Sequence, residues 1–145
     1  VQSYGSDALD AAVLQMPLVG FLPAGDPRMA STIRAIRADL TTPEGFVWRN
    51  EMHGRLGTEG TFVACTFWLV ENLVLLGEVE EARRIFDRTC ACANDLGLFA
   101  EEIQAGTGEP LGNFPQAFSH LGHVLAAVRL QEAAHGAGRR PTTPG

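Results

Sequence analysis

The stretch Thr61–Leu76, TFVACTFWLVENLVLL, is apolar on nearly its whole circumference, and no other feature limits the possible folds of this chain as much. A helix with one apolar stripe can lie on a surface, whereas one that is hydrophobic all round must be enclosed by neighbours. Two further stretches share this property. Ala8–Leu22, ALDAAVLQMPLVGFL, is apolar on most sides, and Pro17 is expected to bend it or remove one of its hydrogen bonds. Gln116 to about His135 reads as a third interior helix, with Phe118, Leu121, Val124, Leu125 and Val128 expected on its buried side. Two amphipathic segments lie between them. The first follows the turn PAGDP, where Asp26 is placed as N-cap and Pro27 as the first helical residue. It carries Met29, Ile33, Ile36 and Leu40 along one stripe. The second, Glu78–Asn94, follows a stop at Gly77. It turns Val79, Ala82, Ile85, Phe86, Cys90 and Ala93 inward, against an outer face of acids and arginines.

The order is therefore interior, surface, interior, surface, interior. Successive helices joined by short turns run antiparallel, so the three interior helices begin at one end of the molecule. Polar sequence precedes each beginning: QSYGSD, RNEMHGRLGTEG and EEIQAGTGEPLGN. The turns at the opposite end, LPAGDP and LLGEVEE, are brief, so chemistry is expected where the long polar segments gather. Within the loop Thr41–Gly60, Phe46, Val47 and Trp48 suggest a short extended piece. The chain reads as all-α, with roughly five helices in one domain over residues 1–135 and a disordered Gly/Pro/Arg tail at 136–145.

Hydrophobic residues at 46% and charged residues at 19% fit a globular domain with a large apolar interior. A formal charge of -6 without a basic stripe argues against a nucleic-acid surface. No signal peptide is visible, and no apolar run is long and uninterrupted enough to span a bilayer. Cys65, Cys90 and Cys92 are odd in number and lack metal spacing, which suits buried free thiols in a reducing, cytoplasmic compartment. No carboxylate or thiolate completes a metal set around His53, His120, His123 or His135, so neither metal nor cofactor is assigned. The chain opens at Val1 directly in functional-looking sequence, as a piece of a longer protein would.

The richest polar segment is Leu96–His120, LGLFAEEIQAGTGEPLGNFPQAFSH. Leu98 and Phe99 can anchor it, and Gly106, Gly108 and Gly112 allow sharp reversals that would aim a glutamate at a fixed point. Pro115 is expected in the first turn of the last helix, capped by Asn113 or its neighbour. By residue type alone, Glu101 and Glu102 fit a solvated surface pair as well as a catalytic one. Arg49 offers five fixed donors for hydroxyls, but a surface arginine would look the same. Glu59 can accept from a hydroxyl or serve as a helix-start acid. Phe62 and Phe118 suit either a core or a stacking platform, and Trp68 reads as core. Tyr4 belongs to the first polar block with Gln2, Asp7 and Asp10.

AEE and GTGEPLGNFPQAFSH, with EGTFVACTFWLVENL and QSYGSDALDA upstream, resemble the bacterial branch of glycoside hydrolase family 15, which contains glucoamylase, glucodextranase and some α,α-trehalases. The resemblance runs from about Gln2 to about Gln131 and covers only the C-terminal part of that family's catalytic domain. It implies a toroid of six inner and six outer helices, (α/α)6, with its pocket at the N-terminal ends of the inner helices. About five helices would supply part of that ring. It also implies inverting hydrolysis of α-linked glucosides such as maltooligosaccharides, dextrans or trehalose. Glu101 would be the general base and Arg49 a clamp on a sugar hydroxyl, with Glu59, Phe62, Glu102, Asn113, Phe118 and Tyr4 around the substrate.

The family's general acid lies upstream, and nothing here matches its motif. A missing acid or base costs about 10² to 10⁴ in rate, so the chain alone is expected to be inactive or nearly so. Its expected partners are the sugar and either the missing N-terminal part of the domain or a second copy docked on exposed apolar flanks. The rival reading is a non-catalytic helical-repeat interaction module, against which stands the lack of a fixed-length repeat.

Overall fold

A computed structural model describes residues 4–51 and 59–137, and within them helices predominate. The first interior element is shorter than expected. A 3-10 turn, Ala11–Leu14, runs directly into α1, Gln15–Leu18. Residues before it are extended, because Asp10 pairs with Asn50 in an antiparallel bridge and the Ala11 N–H donates to Arg49 O at 2.8 Å. The Asp10 carboxylate then accepts from the Ala12 N–H and caps the turn. The segment ends where Gly20 takes φ +75 and the Phe21 N–H bonds back to Met16 O. Leu14 is buried, but Val19 and Phe21 stand in solvent, so this element is not enclosed on most sides.

α2, Pro27–Asp39, starts as its sequence dictates, with Asp26 accepting from the Arg28 N–H and Pro27 in the first turn. Met29, Ile33 and Ile36 form its buried stripe, continued by Leu40. The next segment folds back on itself, with Thr41 bridged to Val47 and the Trp48 N–H donating to Leu40 O. It is pinned to the neighbouring helix by the Val47 N–H donating to Thr66 Oγ1 at 3.0 Å.

α3, Val63–Leu75, is the centre of the molecule, with ten of its thirteen residues buried. Gly77, at φ +82, reverses the chain into α4, Val79–Cys90, which returns antiparallel and buries Ala82, Ile85 and Phe86. Phe67 of α3 is fully buried and lies 5.7 Å from the Phe86 ring, 5.5 Å from Phe99 and 5.5 Å from His123.

α5, Ala117–Ala137, packs against α3 on a face the sequence did not suggest. Its buried positions are Ser119, Gly122, Ala126 and Leu130. Phe118, Leu121, Val124, Leu125 and Val128, expected to be buried, are instead the exposed row, with Phe118 at 63% and Leu125 at 47%. The cause is closeness of approach. A Cβ on Gly122 would sit 3.2 Å from Phe67 Cβ, so only small side chains fit between these two helices. The helix begins at Ala117, which places Pro115 ahead of it and not in its first turn. Gly136 and Ala137 continue it, and the rest of the expected tail lies outside the described residues.

The all-α reading omits one small feature. Thr61–Phe62 (β1), Glu102–Ile103 (β2) and Pro110–Leu111 (β3) form an antiparallel sheet in that order. Phe62 pairs with Glu102, and Glu102 with Leu111. Strands of two residues are too short to leave a period in the sequence. Their effect is to lace the loop between α4 and α5 onto the start of α3.

Candidate functional site

A cavity of about 210 Å³ opens where the three interior elements begin. Ala12 of the 3-10 turn contributes one wall; Phe62, Cys65 and Trp68 another; Gln116, Phe118 and Ser119 the third. Arg49 and Glu101 complete it. Among the described residues, Glu101 is the only carboxylate in the lining.

The Glu101 backbone is fixed from several directions. Its N–H donates to Asn113 O at 2.8 Å, and its carbonyl accepts from the Val63 N–H at the start of α3. The preceding carbonyl, Ala100 O, accepts from the buried Ser119 hydroxyl at 2.7 Å. Phe99 is held twice more, its N–H donating to His120 Nε2 and its carbonyl accepting from the Gln116 N–H. The side chain is half-buried, and its Oε2 accepts from both the backbone N–H and the side-chain amide of Asn113. A carboxylate on a backbone this constrained stays where it is aimed.

Glu102 faces elsewhere. Its Oε2 accepts from the Gly60 N–H at 2.8 Å and is absent from the cavity lining, so it serves the sheet. Gly60 has no room for a side chain, since a Cβ there would meet Ile103 O at 2.8 Å. Asn113 touches Glu101 and is likewise not in the lining. Glu59 is exposed outside the cavity, and Tyr4 is fully exposed and likewise absent from its lining. Their membership of the first two polar blocks does not carry them to the wall. Arg49, Phe62, Phe118 and Glu101 are the expected site residues that the fold brings together. The Arg49 guanidinium carbon stands 6.0 Å from the centre of the Phe62 ring, close enough for cation–π attraction.

Sequence reasoning missed Trp68, Gln116 and Cys65. Trp68 was expected in the core but is half-buried and lines the cavity. Ala64, Cys65 and Trp68 lie at i, i+1 and i+4 in the first two turns of α3, so closeness to the helix start was the usable signal. Cys65 is a neutral wall. Burial first, and the nearby Asp10 charge second, push its thiol up to about 12. His123, stacked on Phe86 at 5.3 Å, is held below the ordinary histidine range, chiefly by burial and then by His120. Among the described residues no group of His, Cys, Asp or Glu could hold a metal ion, and no helix is long and apolar enough to cross a membrane.

An ionisable carboxylate, a guanidinium and aromatic faces around a small cavity are what a neutral polyol ring requires: hydroxyl partners at its rim and flat apolar surface for its C–H faces. Helical hairpins that gather such groups at one end of the inner helices define a helical barrel, here present in part. The family model for Glycosyl hydrolases family 15 matches residues 1–128, and the chain belongs to that family. A trehalase of Mycolicibacterium smegmatis is 47% identical over 144 residues, 94% of this chain and 21% of the relative. One from Thermoplasma volcanium is 42% identical over 135 residues, 92% of this chain and 22% of the relative. The chain thus spans little more than a fifth of the curated relatives it matches.

Among solved structures, a glycosidase point variant superposes with a TM-score of 0.76 at 24% identity, covering 88% of this chain and 37% of that one. The wild-type glycosidase gives a TM-score of 0.73 at 22% identity with the same coverage. The fold is therefore part of an (α/α)6 barrel, its helices alternating between inner and outer positions.

Proposed function

We propose that this chain is the C-terminal part of the catalytic barrel of an inverting α-glucoside hydrolase, with Glu101 as its general base and trehalose as its first candidate substrate. Glu101 takes a proton from water while that water's oxygen bonds to the anomeric carbon. The bond to the leaving glucose breaks at the same time, and its oxygen takes a proton from an acid. In an inverting enzyme the acid and base stand about 6.5 to 9.5 Å apart, leaving room for the water. The described cavity lining holds one carboxylate, so the acid is assigned to the rest of the barrel. Arg49 would clamp a sugar hydroxyl, and Phe62, Trp68 and Phe118 would wall the ring. The trehalases at 42–47% identity favour trehalose over maltooligosaccharides or dextrans.

The apolar row of α5 and the exposed Val19 and Phe21 support docking with that remainder, since a face of this kind is unfavourable in water. Three free cysteines suit a cytoplasmic setting for the assembled enzyme.

The carrying observation is the Glu101 carboxylate in a cavity formed by the starts of the inner helices. The test is trehalose turnover by the chain alone and by the chain assembled with the remaining barrel helices. Activity is expected only for the assembly, with loss on Glu101→Gln. Full turnover by the isolated chain, or an assembly indifferent to Glu101→Gln, would overturn the proposal.

A further inference from the structure

Asn113 was expected to touch substrate, and its surroundings indicate a different task. Resting on the assignment of Glu101 as base, we infer that Asn113 is a positioning residue that clamps one carboxylate oxygen of Glu101 and reserves the other for the attacking water. Three hydrogen bonds join the two residues: Glu101 N–H to Asn113 O at 2.8 Å, Asn113 N–H to Oε2 at 3.2 Å, and Asn113 Nδ2 to Oε2 at 2.8 Å. Both side-chain-directed donors converge on Oε2, and among the described residues no hydrogen bond engages Oε1. A carboxylate with two free oxygens can rotate and present either one. With Oε2 occupied by two donors from one residue, rotation breaks both bonds together, so Oε1 stays in the orientation where it can accept a proton.

Gly112 makes this closeness possible. Its φ of +71 turns the chain so that Asn113 reaches back, and a Cβ at that position would sit 3.1 Å from both Cβ and Oε2 of Glu101. Asn113 is exposed and absent from the cavity lining, so its effect on the reaction passes through Glu101. Hydrogen bonds to a charged acceptor are stronger than neutral ones, and the neutral amide can donate where an isosteric carboxylate could only repel.

The test has two arms. In the 145-residue chain, the side-chain amide signal of Asn113 in a ¹⁵N-labelled sample at pH 7 should carry the downfield shift of a donor to a carboxylate, and Glu101→Ala should abolish that shift. An Asn113 signal indifferent to Glu101 would overturn the clamp without reference to catalysis. In the assembled enzyme, Asn113→Ala and the isosteric Asn113→Asp should lower kcat by about 10- to 100-fold, the loss of one hydrogen bond to a charged group. KM for trehalose should change by less than about threefold, since an interaction made only in the transition state leaves substrate binding intact. Adding Asn113→Ala to Glu101→Gln should cause no further loss. A raised KM with kcat intact would return Asn113 to the substrate wall, and a fully additive double variant would also overturn the inference. If instead Glu101→Gln leaves turnover intact, the assignment of the base fails first and the clamp's catalytic role falls with it.

Discussion

Leu125 and Leu130 lie five residues apart on α5 and have the same chemistry, yet the fold gives them opposite environments. Leu130 is fully buried against the rest of the core, whereas Leu125 keeps 47% of its surface in solvent. Complete burial of a leucine side chain contributes about 1.5–3 kcal/mol, so Leu125→Ala forfeits about half, near 1 kcal/mol, and leaves no sealed cavity. Leu130→Ala loses the whole transfer contribution and adds a cavity, costing about 2–5 kcal/mol. For a chain of this size 1 kcal/mol moves the midpoint by about 3–5 °C. Leu125→Ala should therefore lower the Tm of the chain by about 5 °C or less, and Leu130→Ala by several times as much. Thermal and urea unfolding of the two variants checks this, with unchanged urea m values guarding against a loss of cooperativity. Equal costs would refute the assignment of faces on α5. Repeated in the assembled barrel, Leu125→Ala should become more costly, because the same side chain would then be covered.

Arg129 Nε donates at 3.1 Å to Oε2 of Glu71, a carboxylate with only 2% of its side chain exposed, so Arg129→Ala strands a buried charge and should cost about 3–5 kcal/mol in urea unfolding. A cost below about 1 kcal/mol would mean that Glu71 is neutral in the fold. His123 supplies a pH signature. Its folded-state pKa is depressed, so between that value and the ordinary one near 6.5 the unfolded chain holds more protons than the native one. Stability should fall as pH drops below about 6.5 and level off under the folded pKa, and His123→Leu should remove that part of the curve in melts from pH 7.5 to 5. Gly60→Ala should destabilise by about 1–3 kcal/mol, because the added Cβ meets a backbone carbonyl at 2.8 Å. A neutral result there would show that β1 can move away from β2 without cost.

The parts of the fold legible in sequence are those governed by local chemistry repeated along the chain. Asp26 and Pro27 specify the start of α2 within one turn, and Gly77 with the stripe Ala82, Ile85 and Phe86 specifies the α3–α4 hairpin. The common origin of the inner helices also follows from counting antiparallel turns, and it places Arg49, Phe62, Glu101 and Phe118 around one cavity. What escapes is decided by pairing over distance. Glu101 and Glu102 are adjacent and chemically identical, but Glu101 stands just ahead of β2 and lines the cavity, whereas Glu102 lies in β2 and accepts from the Gly60 N–H. Glu59 is exposed and outside the cavity lining, so proximity to α3 in sequence does not by itself bring a side chain to the wall.

The reversed face of α5 follows from the same limit and bears on function. A helix apolar on two sides gives no sequence rule for choosing between them when one side is bulky and the other small. Here the small side, Ser119, Gly122 and Ala126, packs against α3 and brings the helix close enough for Ser119 to hold Ala100 beside Glu101. Bulky residues in that seam would separate the two helices and break this hydrogen bond, the link between the start of α5 and the carboxylate-bearing loop. The row Phe118, Leu121, Leu125 and Val128 is thereby left to face outward. In a ring of helices each inner member must contact a neighbour on both sides, so a second apolar face follows from ring membership. The small face positions the loop that carries Glu101, and the large face has the apolar character that the proposed docking of the remaining barrel requires.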